Sequence, residues 1–72
     1  MAIYLFHVTV DDDGDRKTLQ YGVNDVGLFE ARERMRQYLA GEGVKFSQIE
    51  DSPSRNIAAL ANLRLGYVRL VT

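Results

Sequence analysis

His7 is the only histidine in a chain that has no cysteine. A histidine works as a general base only beside a nucleophile it can serve and a neighbour that holds its ring. Nothing near position 7 in the sequence supplies either. A lone imidazole also offers too few ligands for zinc unless carboxylates or a second chain complete the set. The absence of cysteine excludes disulfides, thiolate metal centres and a cysteine nucleophile. His7 therefore reads as a structural or contact residue. With an ordinary pKa of about 6.5, it would make a contact between two copies sensitive to pH.

The acidic run Asp11-Asp12-Asp13-Gly14-Asp15 resembles part of a calcium loop. With Gly14 at the sixth loop position, Asp11 and Asp13 take the third and fifth. Thr9 and Gln20 then occupy the first and twelfth, where aspartate and a bidentate glutamate are needed. The run is expected to be a solvated turn, with no metal and no cofactor. Gly41-Glu42-Gly43 has the core of a phosphate cradle, but such a cradle follows a strand and opens a helix. This one follows a helical pattern and fits a helix stop.

The segment Arg64-Leu65-Gly66-Tyr67-Val68-Arg69-Leu70 resembles the octapeptide with which RRM domains stack bases on sheet aromatics. It departs from that motif in three ways. The basic residue is not adjacent to the glycine, the second aromatic is missing, and the segment lies on the last strand rather than the third. The resemblance implies RNA or single-stranded DNA stacking on Tyr67 with Tyr21, and phosphate contacts from Arg16, Lys17, Arg64 and Arg69. On a regular strand Arg69 shares the face of Tyr67 while Arg64 shares that of Val68, which divides the cations. Nine Lys plus Arg against ten Asp plus Glu leave a net charge of −1, too little for binding by bulk electrostatics. Nucleic acid is thus the second reading, not the first. The charge is uneven: residues 1–51 hold all ten acids and six bases (−4), and residues 52–72 hold Arg55, Arg64 and Arg69 (+3).

These side chains must be carried by one small domain spanning residues 1–72. Residues 2–10 alternate as a strand, with Tyr4, Phe6, Val8 and Val10 on one face and Ile3, Leu5, His7 and Thr9 on the other. Residues 16–23 alternate again, so a β-hairpin forms around a connection at residues 11–15. A helix is expected after Asn24 or Asp25, either of which can cap it, and it runs to about Ala40. Its apolar stripe is Leu28, Ala31, Met35, Tyr38 and Leu39, and Gly41 would end it in a left-handed conformation. On its outer side Arg32 and Arg36 repel mildly at i, i+4, which an acidic partner could relieve. Residues 44–49 make a third strand, broken at Ser52-Pro53-Ser54. Ser54 could cap a short helix over residues 54–62 with Ile57, Leu60 and Ala61 on one side. Residues 65–71 make the last strand.

The order β-β-α-β-(short α)-β gives an α+β fold, a mostly antiparallel sheet with one main amphipathic helix packed on one face. No apolar stretch reaches the roughly 18 residues of a membrane span. With neither a signal-like start nor cysteine, a cytoplasmic setting is expected. The first strand is oily on both faces, while one long helix covers only one. Ile3 or Leu5 left in water would forfeit roughly 1.5 to 3 kcal/mol each. Residues 54–62, a second copy or another protein must cover that face. The expectation is a non-enzymatic interaction domain, self-associating as a homodimer through Ile3, Leu5, His7 and Thr9, or binding and occluding a larger protein. A phage-type inhibitor of host or CRISPR machinery would be one such protein. RNA or single-stranded DNA binding through the sheet is the alternative, and a small enzyme with a dimer-cleft site the third.

Overall fold

The computed structural model describes residues 2–52 and 62–71. Strands β1 (Ala2–Asp12) and β2 (Asp15–Asp25), helix α1 (Leu28–Gly41), and strands β3 (Phe46–Asp51) and β4 (Val68–Val71) follow one another. The four strands form one antiparallel sheet in the order β3-β1-β2-β4. This is the α+β architecture expected from the alternating and helical periods. The proposed short helix over residues 54–62 falls outside the described residues except for Asn62, which is in a turn.

The hairpin is tighter than the acidic run suggested. β1 and β2 pair without a break from Ala2↔Asp25 to Asp12↔Asp15, so the connection is Asp13-Gly14 rather than residues 11–15. Asp13 (φ 51°) and Gly14 (φ 89°) both lie in left-handed backbone, the requirement of a type I′ turn. Asp-Gly supplies it at low cost because aspartate tolerates that region and glycine has no Cβ to clash. The flanking acids stand on strands, so the geometry is a hairpin and not a helix-flanked calcium loop.

Register decides the faces. Tyr4, Phe6, Val8 and Val10 sit directly across from Val23, Tyr21, Leu19 and Lys17. Ala31, Met35 and Leu39 of α1 pack there on Phe6, Val8, Val10, Tyr21, Val23 and Val68. Leu28 and Tyr38, expected in the stripe, lie at its margins and stay largely exposed. The helix starts without a side-chain cap: Gly27 is the N-cap, and the expected caps Asn24 and Asp25 end β2 instead. Its end is also displaced. Gly41 is still helical and Gly43 carries the left-handed turn at φ 71°. Gly43 N–H donates to Ala40 O at 3.1 Å and Val44 N–H to Leu39 O at 2.9 Å, a Schellman closure that tucks Val44 onto the core.

The later strands also shift. β3 begins at Phe46 rather than at 44 because Gly43 and Val44 are spent on that closure, and it runs to Asp51. A register shift between Thr9 and Val10 brings Phe46 opposite Val10. β4 is Val68–Val71 rather than 65–71, because Gly66 at φ 71° turns the chain just before it.

Candidate functional site

β1 lies inside the sheet, between β3 and β2. Along residues 6–10 both its edges are already paired, so it meets another molecule there only through its face. On that face Leu5 is 6% exposed, packed with Leu63 and Val71, with Ile3 against them. The oily second face is therefore covered at Leu5 from within the chain, and Leu5 is withdrawn from any accessible surface. Ile3, His7 and Thr9 are half-buried. The intramolecular cover the sequence offered was residues 54–62, which lie outside the described residues except for Asn62; Leu63 and Val71 were not part of it. No local signal marked Leu63, because its contact with Leu5 joins residues far apart in the chain.

Around His7 the fold assembles what the sequence could not. Ser52 N–H donates to Leu5 O at 2.9 Å, which carries β3's direction one residue past Asp51. That places Ser52 Oγ 3.1 Å from His7 Nε2, and Gln20 Nε2 donates to the same oxygen at 2.9 Å. The Ser52 hydroxyl has one proton and two lone pairs, so it accepts from Gln20 and still bonds the imidazole, with the ring's tautomer setting which of the two donates. The pair resembles a nucleophile with its base, but among the described residues no third group orients the ring. Glu50 stands directly across from His7, yet its carboxylate accepts from Gln48. Among the described residues no carboxylate bonds the other ring nitrogen. The trio satisfies three half-buried polar side chains.

A second polar cluster fixes the approach to β4. Asp25 is buried, accepting from Arg34 Nε at 2.9 Å and from Val26 N–H at 2.8 Å. The Arg34 hydrogen bond, with the Val26 amide behind it, holds the Asp25 carboxyl below the usual carboxylate range. Next to it Asn24 Nδ2 donates to Leu63 O at 2.7 Å, Asn24 N–H to Tyr67 O at 3.4 Å, and Gly66 N–H to Asn24 O. A Cβ on Gly66 would stand 2.8 Å from Arg34 Cζ, so the guanidinium lies against the bare glycine backbone. The end of β2, the helix and the turn before β4 are thus tied at one point.

The residues assigned to nucleic acid are not gathered. Tyr21 is on the helix side, 6% exposed, its ring edge-on to Tyr38 at 6.1 Å. Burial pushes its hydroxyl pKa up, with Tyr38 and Glu42 adding to the shift, and the ring is not available to stack a base. Arg16 and Lys17 are at the far hairpin end, 3.7 Å and 3.5 Å from Asp11 and Asp12. Arg69 projects on the face opposite the helix, across from Gly22, while Tyr67 and Arg64 lie in the exposed approach to β4. The helix arginines are relieved internally: Arg32 pairs with Asp51 at 2.7 Å and Arg36 with Glu33 at 2.6 Å.

At the margin of the sheet beside β4 the sequence pointed to Tyr67 but not to Leu65 or Leu70. Leu65, Tyr67 and Leu70 are 52%, 56% and 44% exposed. Tyr38 faces the same region, where Arg34, Gln37, Glu42, Gly66 and Val68 line an open groove with it. Alternation had assigned these residues to the last strand; the turn at Gly66 leaves Leu65 and Tyr67 outside β4, and β4 stands at the end of the strand order. Among the described residues no strand pairs with the outer edge of β4. No helix among them is long and apolar enough to cross a membrane, and no group of three or more His, Asp or Glu is placed to hold a metal ion. A scan against protein-family models and searches of the curated proteins and of the solved structures return no match.

Proposed function

We propose that the protein is a non-enzymatic protein-binding domain whose docking surface is the β4 margin. The observation that supports this is the coincidence of a sheet edge that no described strand pairs with and the exposed apolar groups Leu65, Tyr67 and Leu70. An unpaired edge is a template for strand addition, in which backbone hydrogen bonds supply affinity and alternate side chains supply selectivity. The Ser52–His7 pair supports a structural role over an enzymatic one because no third group among the described residues orients its ring.

A photo-reactive residue replacing Leu70, compared with one replacing Gln48 on β3, tests the reading in cells that make the protein. It requires a discrete protein adduct from position 70, weakened by Tyr67→Ser and absent from position 48. Equal adducts from both edges, or adducts with RNA alone, would sink it; the RNA result would favour the sheet-binding alternative.

A further inference from the structure

Resting on the reading just given, we infer that the partner at the β4 edge is a second copy of this chain, paired antiparallel about a two-fold axis at Leu70. The backbone alternation carries the first step. Asn24 N–H donates to Tyr67 O, and the β2–β4 register continues through Val23↔Val68, Gly22↔Arg69, Tyr21↔Leu70 and Gln20↔Val71. In an antiparallel pair, N–H and C=O groups point to the same neighbour on every second residue. Tyr67 therefore directs its C=O to β2, its N–H bonding Arg64 O instead, and Arg69 and Val71 direct their backbone groups to β2. Val68 and Leu70 direct theirs outward.

The two-fold axis carries the second step. Residues directly opposite in an antiparallel pair share a face of the sheet, so a symmetric register centres on either Arg69 or Leu70. Centring on Arg69 keeps the two exposed leucines apart, each across from the buried Val68 of the copy. Centring on Leu70 lets the outward N–H and C=O of Leu70 pair with the same groups of the copy. It sets the two exposed leucine side chains together on the helix side, and Arg69 across from Val71 of the copy. The charges then agree with the pairing. β4 carries no acid, Arg69 stands diagonal to its own copy, and a chain of net charge −1 repels a second one weakly. The isologous contact closes at two chains, whereas β4 on the β3 edge of the next molecule would continue without end.

Light scattering of the native chain over a hundredfold concentration range, joined to oxidation of single-cysteine variants, tests the inference. The native mass should rise from one chain to two and stop. Leu70→Cys should lock into a covalent dimer at least tenfold faster than Arg69→Cys or Gln48→Cys, because the native chain has no cysteine to compete. A mass of one chain throughout overturns the second copy as partner, while the photo-adduct experiment still decides whether β4 is a docking edge. Doubling with Arg69→Cys locking fastest overturns the register. Mass that grows without limit overturns the closed pair in favour of β3-to-β4 addition.

Discussion

The two edges of this sheet are built to opposite ends. β3 presents Ser47, Gln48, Glu50 and Asp51 to water, begins beside an irregularity in its pairing with β1, and has Asp51 held to the helix by Arg32. These are the devices by which natural sheets discourage strand addition: acids along the strand and a local break in register. β4 has one charged side chain among four residues and is flanked by Leu65 and Tyr67, both exposed. Among the described residues its protection is its shortness. The difference teaches that residue choice separates the two edges of one scaffold: no described strand pairs with the outer side of either, and β3 carries acids where β4, the proposed docking edge, carries apolar side chains.

The largest test of that contrast is proline at matched positions. Leu70 directs its N–H outward, so Leu70→Pro should leave the β2 ladder in place and abolish association at the β4 edge. On β3, Ser52 N–H bonds Leu5 O, so Glu50 also faces β1 and Ile49 faces outward. Ile49→Pro should leave the association constant within about threefold, or 0.7 kcal/mol. Equilibrium sedimentation of the two variants reads both; equal loss from both would end the contrast.

Glycine substitutions probe how each edge is reached. Gly66→Ala must adopt φ 71° and push against Arg34, whereas Gly43→Ala at φ 71° meets nothing within 4 Å. Left-handed backbone costs an alanine about 1 to 2 kcal/mol, so Gly43→Ala should lose that much in urea denaturation and Gly66→Ala clearly more. Equal losses would show that the Arg34 contact carries no strain.

Acid should loosen the β4 side first. The Asp25 carboxyl titrates lower in the folded chain than in the unfolded one, where its pKa is about 3.9. Its contribution is therefore complete above that value and is lost as pH falls through the lower folded pKa. Asp25→Asn should be less stable than the native chain at neutral pH, and the gap should narrow below about pH 4. Thermal melts at pH 7 and pH 3 would show it; a constant gap would remove Asp25 as the acid-sensitive tie. The smallest effect belongs to β3: Arg32→Ala breaks an exposed pair with Asp51 and should cost about 0 to 1 kcal/mol by the same melts, with less difference in high salt.

Much of the architecture was legible in the residues. Period-two alternation fixed β1 and β2, and the 3.6-residue stripe of Ala31, Met35 and Leu39 fixed which side of α1 is inward. Boundaries moved where a special backbone conformation competed with periodicity. Gly43 rather than Gly41 closes the helix, and Gly66 cuts the last strand from residues 65–71 to Val68–Val71. The candidate site was less legible. The sequence directed attention to the oily face of β1, whose Leu5 is covered by Leu63 and Val71. The exposed margin formed instead at β4.

The sequence by itself determined local identities: strand, turn and helix types, and the excluded thiol chemistry. These depend on neighbours a few residues apart, through dihedral preference and side-chain period. Only the tertiary structure decided which strand is central and which is an edge, which apolar face is sealed, and that Ser52 reaches His7 across 45 positions. Such pairings join residues distant in the chain. They are set by how the whole sheet buries its apolar area, a quantity that no single window of sequence contains.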